Sequence, residues 1–251
     1  MTNFGTIIIG DELLSGKRPD RHFQHVIETL AQRGLELKWC HIIGDDPALI
    51  IATLRQTLAQ DDIVFCFGGI GATPDDHTRQ CAAEAAGVPL YRHPEAVAEI
   101  EARFGAEAYP RRILMADLPQ GSRIIPNPFN RIPGFSLDHH HFLPGFPQMA
   151  WPMMDWVLDT LYPEIRDQAP ETEALITVLD AMESPLLDLM NEFVRRYPDL
   201  RFSSLPHIGE GGERKVEFGL RGSRPLVIEG MNYLKSEVEK LGFRWTETAT
   251  V

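Results

Sequence analysis

Ile63-Val-Phe-Cys-Phe-Gly-Gly-Ile-Gly-Ala-Thr-Pro-Asp-Asp-His-Thr78 is the stretch on which the reading of this chain turns. Its first five residues form an apolar run of β-branched and aromatic side chains with punctuation on both sides, which predicts a short buried strand. Gly68, Gly69 and Gly71 follow at once, where the backbone can take positive φ or approach a ligand closely. Thr73-Pro74-Asp75-Asp76 then has the composition of a helix start: a capping hydroxyl, a first-turn proline, and acids at the positive end. Strand, glycine turn and helix N-terminus together offer N–H groups to phosphate or carboxylate. The plain alternative is a well-capped helix, but a cap does not require three glycines before it. Spacing excludes two familiar motifs. The third glycine of a dinucleotide fingerprint would fall at Pro74, and no Gly-Lys-Ser/Thr follows to make a P-loop.

Upstream, Thr6-Ile-Ile-Ile9 predicts a first buried strand ended by Gly10, and Asp11-Glu-Leu-Leu-Ser-Gly16 an exit loop carrying two carboxylates and the Ser15 hydroxyl. Residues 19–33 have helical spacing at Phe23, Val26, Ile27 and Leu30, with Gly34 at the C-cap. Residues 35–43 alternate like a second strand. In Gly44-Asp45-Asp46-Pro47, Asp46 is a natural N-cap before the helix at residues 48–60. Asp45 has no evident structural task and joins the site candidates. The order β-α-β-α-β-α predicts a mostly parallel sheet with helices on both faces. In such sheets ligands bind beyond the carboxyl ends of the strands. Glu12, Asp45, Asp75 and Asp76 each come just after a strand, so they should share that edge, as a binding site needs, and Asp75 and Asp76 beside the glycine turn are candidates for a divalent metal.

Downstream, helices are expected at residues 77–86, 94–104 and 148–161, the last rich in Met and Trp for core packing or a dimer contact. Short apolar pieces lie at 113–116 and 123–125, and residues 126–147 are rich in proline and glycine. His139-His140-His141 invites a metal reading, yet a strand would alternate neighbours across both faces, which argues against it. Residues 162–170 read as a linker. Beyond it come a strand at 172–179, a serine-capped helix at 184–197, and a strand pair, 201–205 and 215–220, around Gly209–Gly212. A helix at 224–241 and a strand near 243–245 end the chain. This β-α-β-β-α-β order suggests a small α+β unit with a structural or oligomerising role.

The chain of 251 residues carries 24 Lys and Arg against 36 Asp and Glu, a net charge of −12. That balance disfavours a nucleic-acid partner. No apolar stretch is long enough to span a bilayer and no signal peptide precedes Asp11, so no membrane partner and a cytoplasmic location are expected. Cys40, Cys66 and Cys81 form no Cys-x-x-Cys and read as buried thiols of a reducing compartment.

Several further motifs occur in order: Gly10-Asp11-Glu12-Leu13-Leu14 with Gly16, Gly44-Asp45-Asp46-Pro47, the glycine turn through Thr78, Pro126-Asn127-Pro128, Pro133-Gly134-Phe135 and Leu143-Pro144-Gly145-Phe146-Pro147. On these, residues 5–162 resemble the molybdopterin-binding domain of MoaB/Mog type, and in particular the N-terminal domain of CinA-type competence/damage-inducible proteins. The resemblance implies an α/β fold in three layers, α/β/α, over residues 1–165, a small α+β domain at 170–251, and a homo-oligomer. The deamidase domain that ends full-length CinA proteins has no counterpart in this sequence. The implied ligand is a small-molecule nucleotide or pterin with a pyrophosphate, bound with Mg²⁺ or a similar ion. Asp45 and Asp76 match the functional acids of molybdopterin adenylyltransferases and would be the metal ligands, with Glu12 assisting. Gly68, Gly69, Gly71 and Thr73 would hold phosphate, joined by Asp75, Thr78, Ser15, Asn127, Pro144 and Gly145 as ligand contacts. The expected activity is metal-dependent hydrolysis of an ADP-ribose-type pyrophosphate. Adenylyl transfer to molybdopterin and ligand binding without turnover are the alternatives. Three departures from the family pattern stand out: Ala72 for a usual proline, Asp20 for a common asparagine, and Asn130-Arg131-Ile132 where smaller residues are usual.

Overall fold

The computed structural model describes residues 3–167, 172–209 and 212–248. The chain divides into two compact units, Met1–Gln168 and Ala169–Val251. The first runs β1 (Phe4–Ile9), α1 (Asp11–Leu14), α2 (His22–Ala31), β2 (Leu37–Ile43), α3 (Pro47–Leu58), β3 (Ile63–Phe67), α4 (Thr78–Ala86), β4 (Leu90–Arg92), α5 (Pro94–Phe104), β5 (Asp117–Pro119), β6 (Arg123–Ile125), β7 (Gly134–Leu137), β8 (His140–Leu143) and α6 (Pro147–Leu161). Six strands form one sheet in the order β2-β1-β3-β8-β7-β6. The pairs β1–β2, β1–β3 and β3–β8 are parallel, while β7 runs antiparallel to both neighbours. The sheet is thus mostly parallel, as expected. β4 and β5 pair separately.

The all-apolar run of β3 has a simple cause: both its faces are covered, and every one of its residues is buried. Alternation sends Ile7, Val64 and Cys66 into one core with Ile50 and Leu54 of α3, Cys81 and Ala82 of α4, and Ile100 of α5. It sends Ile8, Phe65 and Phe67 into the other, with Val26 and Leu30 of α2 and Met153, Met154 and Val157 of α6. The three-layer α/β/α architecture follows, and the Met-rich α6 is core. At the sheet edge, Trp39 of β2 lies directly over Gly5 of β1, where any Cβ would meet the indole ring. The indole N–H donates to Asp62 (2.8 Å), which also accepts from Asn3 (2.9 Å), and these bonds hold the Asp62 carboxyl below the usual range.

The histidine run alternates as predicted, with two rings buried on opposite faces. His140 Nε2 lies 2.8 Å from the Thr57 hydroxyl. His141 bonds Ser136 through Nδ1 and the Tyr162 hydroxyl through Nε2, both at 2.8 Å.

The second unit runs β9 (Thr172–Leu179), α7 (Glu183–Arg196), β10 (Arg201–Ile208), β11 (Arg214–Gly222), α8 (Arg224–Lys240) and β12 (Arg244–Thr248). Its sheet order, β10-β11-β9-β12 with every neighbour antiparallel, is the split β-α-β arrangement. Ile176, Val178, Phe218, Leu186, Phe193, Val227 and Leu234 make its core.

Several local expectations change. Residues 11–14 form one helical turn rather than a loop. α2 starts at His22, because the Asp20 carboxylate accepts from the His22 and Phe23 amides (3.0 and 2.9 Å) and so sets the first turn. Met182, not Ser184, occupies the N-cap of α7, and no side chain caps it. Cys40 is only half-buried, whereas Cys66 and Cys81 are buried, and all three are free thiols. Of the expected linker, residues 168–170 lie outside the described residues, as do residues 210 and 211 of the turn in the second unit.

Burial lowers the pKa of His140 to about 4 and of His141 to about 3, with neighbouring histidines adding to the effect. Both are neutral in the folded chain at physiological pH. Unfolding releases them to ordinary values near 6.5, so the unfolded chain takes up protons first as pH falls. Their contribution to stability is whole above pH 6.5 and is lost on acidification towards pH 4 and 3. Urea unfolding between pH 6.5 and 5 should lose about 2 kcal/mol per histidine. A His140→Gln/His141→Gln chain should have a flatter slope in that window.

Candidate functional site

The site grows from the carboxyl ends of β1, β2 and β3. Leaving β3, the chain takes positive φ at Gly68 (102°) and Gly69 (66°), which a side-chain-bearing residue rarely adopts. Space is equally restrictive. Gly68 presses against the Ile9 carbonyl, Gly69 against the Thr78 hydroxyl, and Gly71 against the Asp76 carboxylate. The Gly68 amide bonds the Leu143 carbonyl of β8 (3.0 Å), which fixes where the loop begins. The amides of Gly69, Ile70, Gly71 and Ala72 have no acceptor among the described residues. All four residues line one cavity of about 430 Å³. A run of free N–H groups in such a turn is an anion-receiving surface.

Glu12, Asp45, Asp75 and Asp76 line the same cavity, as do Gly68, Thr73, Asn127, Pro144 and Gly145. The edge rule for parallel sheets has therefore gathered the acids around the glycine turn. Asn130 and Ile132, two of the unusual residues before Pro133, contribute to the lining as well.

Two expected ligand contacts are not in it. Thr78 is fully buried: its hydroxyl donates to the Gly68 carbonyl and its amide to the Gly69 carbonyl, both at 3.0 Å. It closes the loop from behind instead of facing the cavity. Ser15 is exposed and its hydroxyl turns back to the Glu12 carbonyl.

The helix start also moves. Thr73–Asp76 is a turn, closed by Asp76 N–H to the Thr73 carbonyl (3.0 Å), and α4 begins only at Thr78. The direction of capping is reversed, because Asp76 Oδ2 accepts from Thr73 N (2.8 Å) and Thr73 Oγ1 (2.5 Å). Asp45 turns out to have a structural task. Its Oδ2 accepts from Asp11 N (2.9 Å), and Asp11 Oδ1 accepts from Asp45 N (3.1 Å), so each acid ties down the other's loop. Burial raises the Asp45 pKa, and the carboxylates of Asp11, Glu12 and Asp75 push it further up against the opposing hydrogen bond from Asp11.

The donor set suits a hard divalent cation only with help from a ligand. Among the described residues no three His, Cys, Asp or Glu side chains are grouped to hold a metal. Asp45 and Asp76 each have one oxygen engaged by a backbone N–H and a second left over. One or two carboxylates completed by phosphate oxygens and water is the usual protein share of a Mg²⁺ site. The crowding of negative charge at Asp45 is what such an ion would relieve.

Arg79 escaped the sequence reading. It is 4% exposed, and its guanidinium donates to the carbonyls of Gly71 (2.7 Å), Leu114 (2.7 Å) and Asp117 (2.9 Å). It thereby anchors the glycine turn to β5, across separations of 8 to 38 residues. Its place one step into α4 was the only local signal, and an arginine there is commonplace. Arg79→Met would leave three carbonyls without this donor, at a cost of roughly 3 kcal/mol or more. Thermal unfolding should register that loss, and hydrogen exchange should quicken at the bonded amides that frame the turn, Gly68 and Thr78.

Comparison with known proteins agrees with this architecture. Residues 5–166 match the model of the MoCF_biosynth family, described as a probable molybdopterin binding domain. A CinA-like protein of Syntrophotalea carbinolica is 33% identical over 189 residues, covering 72% of this chain and 46% of its own. A CinA-like protein of Gloeobacter violaceus is 37% identical over 234 residues, covering 90% and 54%. The chain thus spans about half the length of these relatives. The crystal structure of the protein CinA, of unknown function, from Thermoplasma acidophilum superposes with a TM-score of 0.58 at 27% identity, over 63% of this chain and 98% of that one. On its family match, this chain belongs to the probable molybdopterin binding domain family.

Proposed function

We propose that the chain binds a phosphate-bearing small molecule at the glycine turn and, with a divalent cation, hydrolyses a pyrophosphate of the ADP-ribose type. The observation that carries this reading is the run of four unengaged amides, Gly69 to Ala72, lining the same cavity as Glu12, Asp45 and Asp76. Phosphate oxygens lie against those N–H groups, which are fixed in advance by Thr78 and Arg79 and need no reorganisation on binding. Asp45 and Asp76 would hold the cation, which would supply charge neutralisation at the pyrophosphate. Glu12, which lines the same cavity, would orient the attacking water. Like the ligand, the cation, the homo-oligomer and the cytoplasmic setting belong to this proposal. No helix among the described residues is long and apolar enough to cross a membrane.

The family's description as a probable molybdopterin binding domain supports a second reading, adenylyl transfer to a pterin. The cavity and its free amides serve equally a third, binding without turnover. One assay separates all three. Incubated with ADP-ribose and Mg²⁺, the chain should release AMP and ribose 5-phosphate, and Asp45→Asn or Asp76→Asn should slow release by about 100-fold or more. Wild-type rates in Asp76→Asn would overturn the hydrolytic assignment. A stable adenylylated product from ATP and pterin would instead establish transfer. A rise in melting temperature with ADP-ribose but no product would leave a binding protein.

A further inference from the structure

A second cavity, of about 260 Å³, adjoins the first and shares Glu12, Arg18, Gly145 and Phe146 with it. Three features of this junction leave a group unengaged within the protein. Phe146 is a large apolar side chain left 52% exposed at the start of α6. Phe67 stacks on His22 and Phe135 on Phe142, but Phe146 has no ring partner among the described residues. Arg18 is exposed and has no carboxylate within ion-pair distance among the described residues. His22, which lines the second cavity and is only 5% exposed, donates from Nε2 to the Gly145 carbonyl (3.2 Å) and keeps a buried Nδ1 without a partner.

The backbone around Phe146 is held firmly. His22 is stacked on Phe67 with ring centroids 4.4 Å apart, and its bond to Gly145 ties the residue before Phe146 to α2. Gly145 in turn packs on Gly68, so the aromatic wall and the glycine turn sit at a fixed spacing. An aromatic face standing free beside an anion-receiving turn, with Arg18 lining both cavities, suits a ligand having two unlike parts. The phosphates take the amides, and a flat ring takes the aromatic face.

We infer that Phe146 is the stacking wall for a planar heteroaromatic ring, a nucleobase or a pterin, carried by the phosphate-bearing ligand. Arg18 lies where ring and phosphates join. The inference rests on the phosphate-binding reading above and adds the ring to it. It makes Phe146 a specificity-determining residue, with no part in the chemical step.

Dissociation constants of the full chain for inorganic pyrophosphate, ribose 5-phosphate, AMP, ADP-ribose and a phosphorylated pterin test it by calorimetry. Phe146→Ala should weaken the ring-bearing ligand that the wild type prefers by roughly ten-fold or more, and leave pyrophosphate and ribose 5-phosphate unchanged. Phe146→Trp should restore the loss. Preference for AMP or for the pterin identifies which ring the wall receives. An unchanged ratio of ring-bearing to ring-free affinities in Phe146→Ala would overturn the assignment, as would equal weakening of both. In either case the phosphate cradle still stands. A wild-type chain that binds none of the five removes the cradle itself, and this inference with it. Phe146 is half-exposed, so the melting temperature of the unliganded variant should stay near wild type and folding does not confound the comparison.

Discussion

Absence of side-chain volume where three backbones converge is the constraint on which the first unit depends. Gly68 has the Ile9 carbonyl against one side and Gly145 close by, and Gly69 and Gly71 have Thr78 and Asp76. The strands β1, β3 and β8 can end together only because those positions carry no Cβ. What the loop gives up in side chains it regains as exposed N–H groups. The same crowding that excludes larger residues leaves the backbone as the one surface available to a ligand.

Around that loop the polar contacts divide into two kinds. Thr78 and Arg79 are buried and spend their bonds on carbonyl oxygens of the loop, which leaves the Gly69–Ala72 amides unengaged. Asp76 and Asp45 face the cavity but are each steadied by an N–H from their own or a neighbouring loop. Carboxylates prepared in this way lose little side-chain freedom when they meet a cation. Asp45 bears the cost: burial first, and the carboxylates of Asp11, Glu12 and Asp75 after it, raise its pKa.

Much of this was legible in the sequence. The five-residue run of β3 and the strand before Gly10 announced a doubly covered sheet. The edge rule for parallel strands then brought Glu12, Asp45 and Asp76 to one cavity with no three-dimensional information. Periodicity, however, reports local burial alone. It could not distinguish a helix cap from a turn at Thr73–Asp76, because both begin with the same residue types. It was silent on Asp45 pairing with Asp11, 34 residues away, and on Arg79 reaching Asp117, 38 residues away. The family resemblance implies Thr78 as a ligand contact. The first turn of α4 swings its hydroxyl behind the loop, a rotation that sequence order does not encode.

The seating of Trp39 over Gly5 has a consequence for how this chain can drift over evolutionary time. Indole and missing methyl fill one space, so neither position is free to change by itself. An alanine at 5 must await a smaller residue at 39, and that residue forfeits the tether to Asp62 which keeps the outermost strand in register. Homologous chains should therefore vary at these two positions jointly, as a linked pair on the rim of the sheet far from any chemistry.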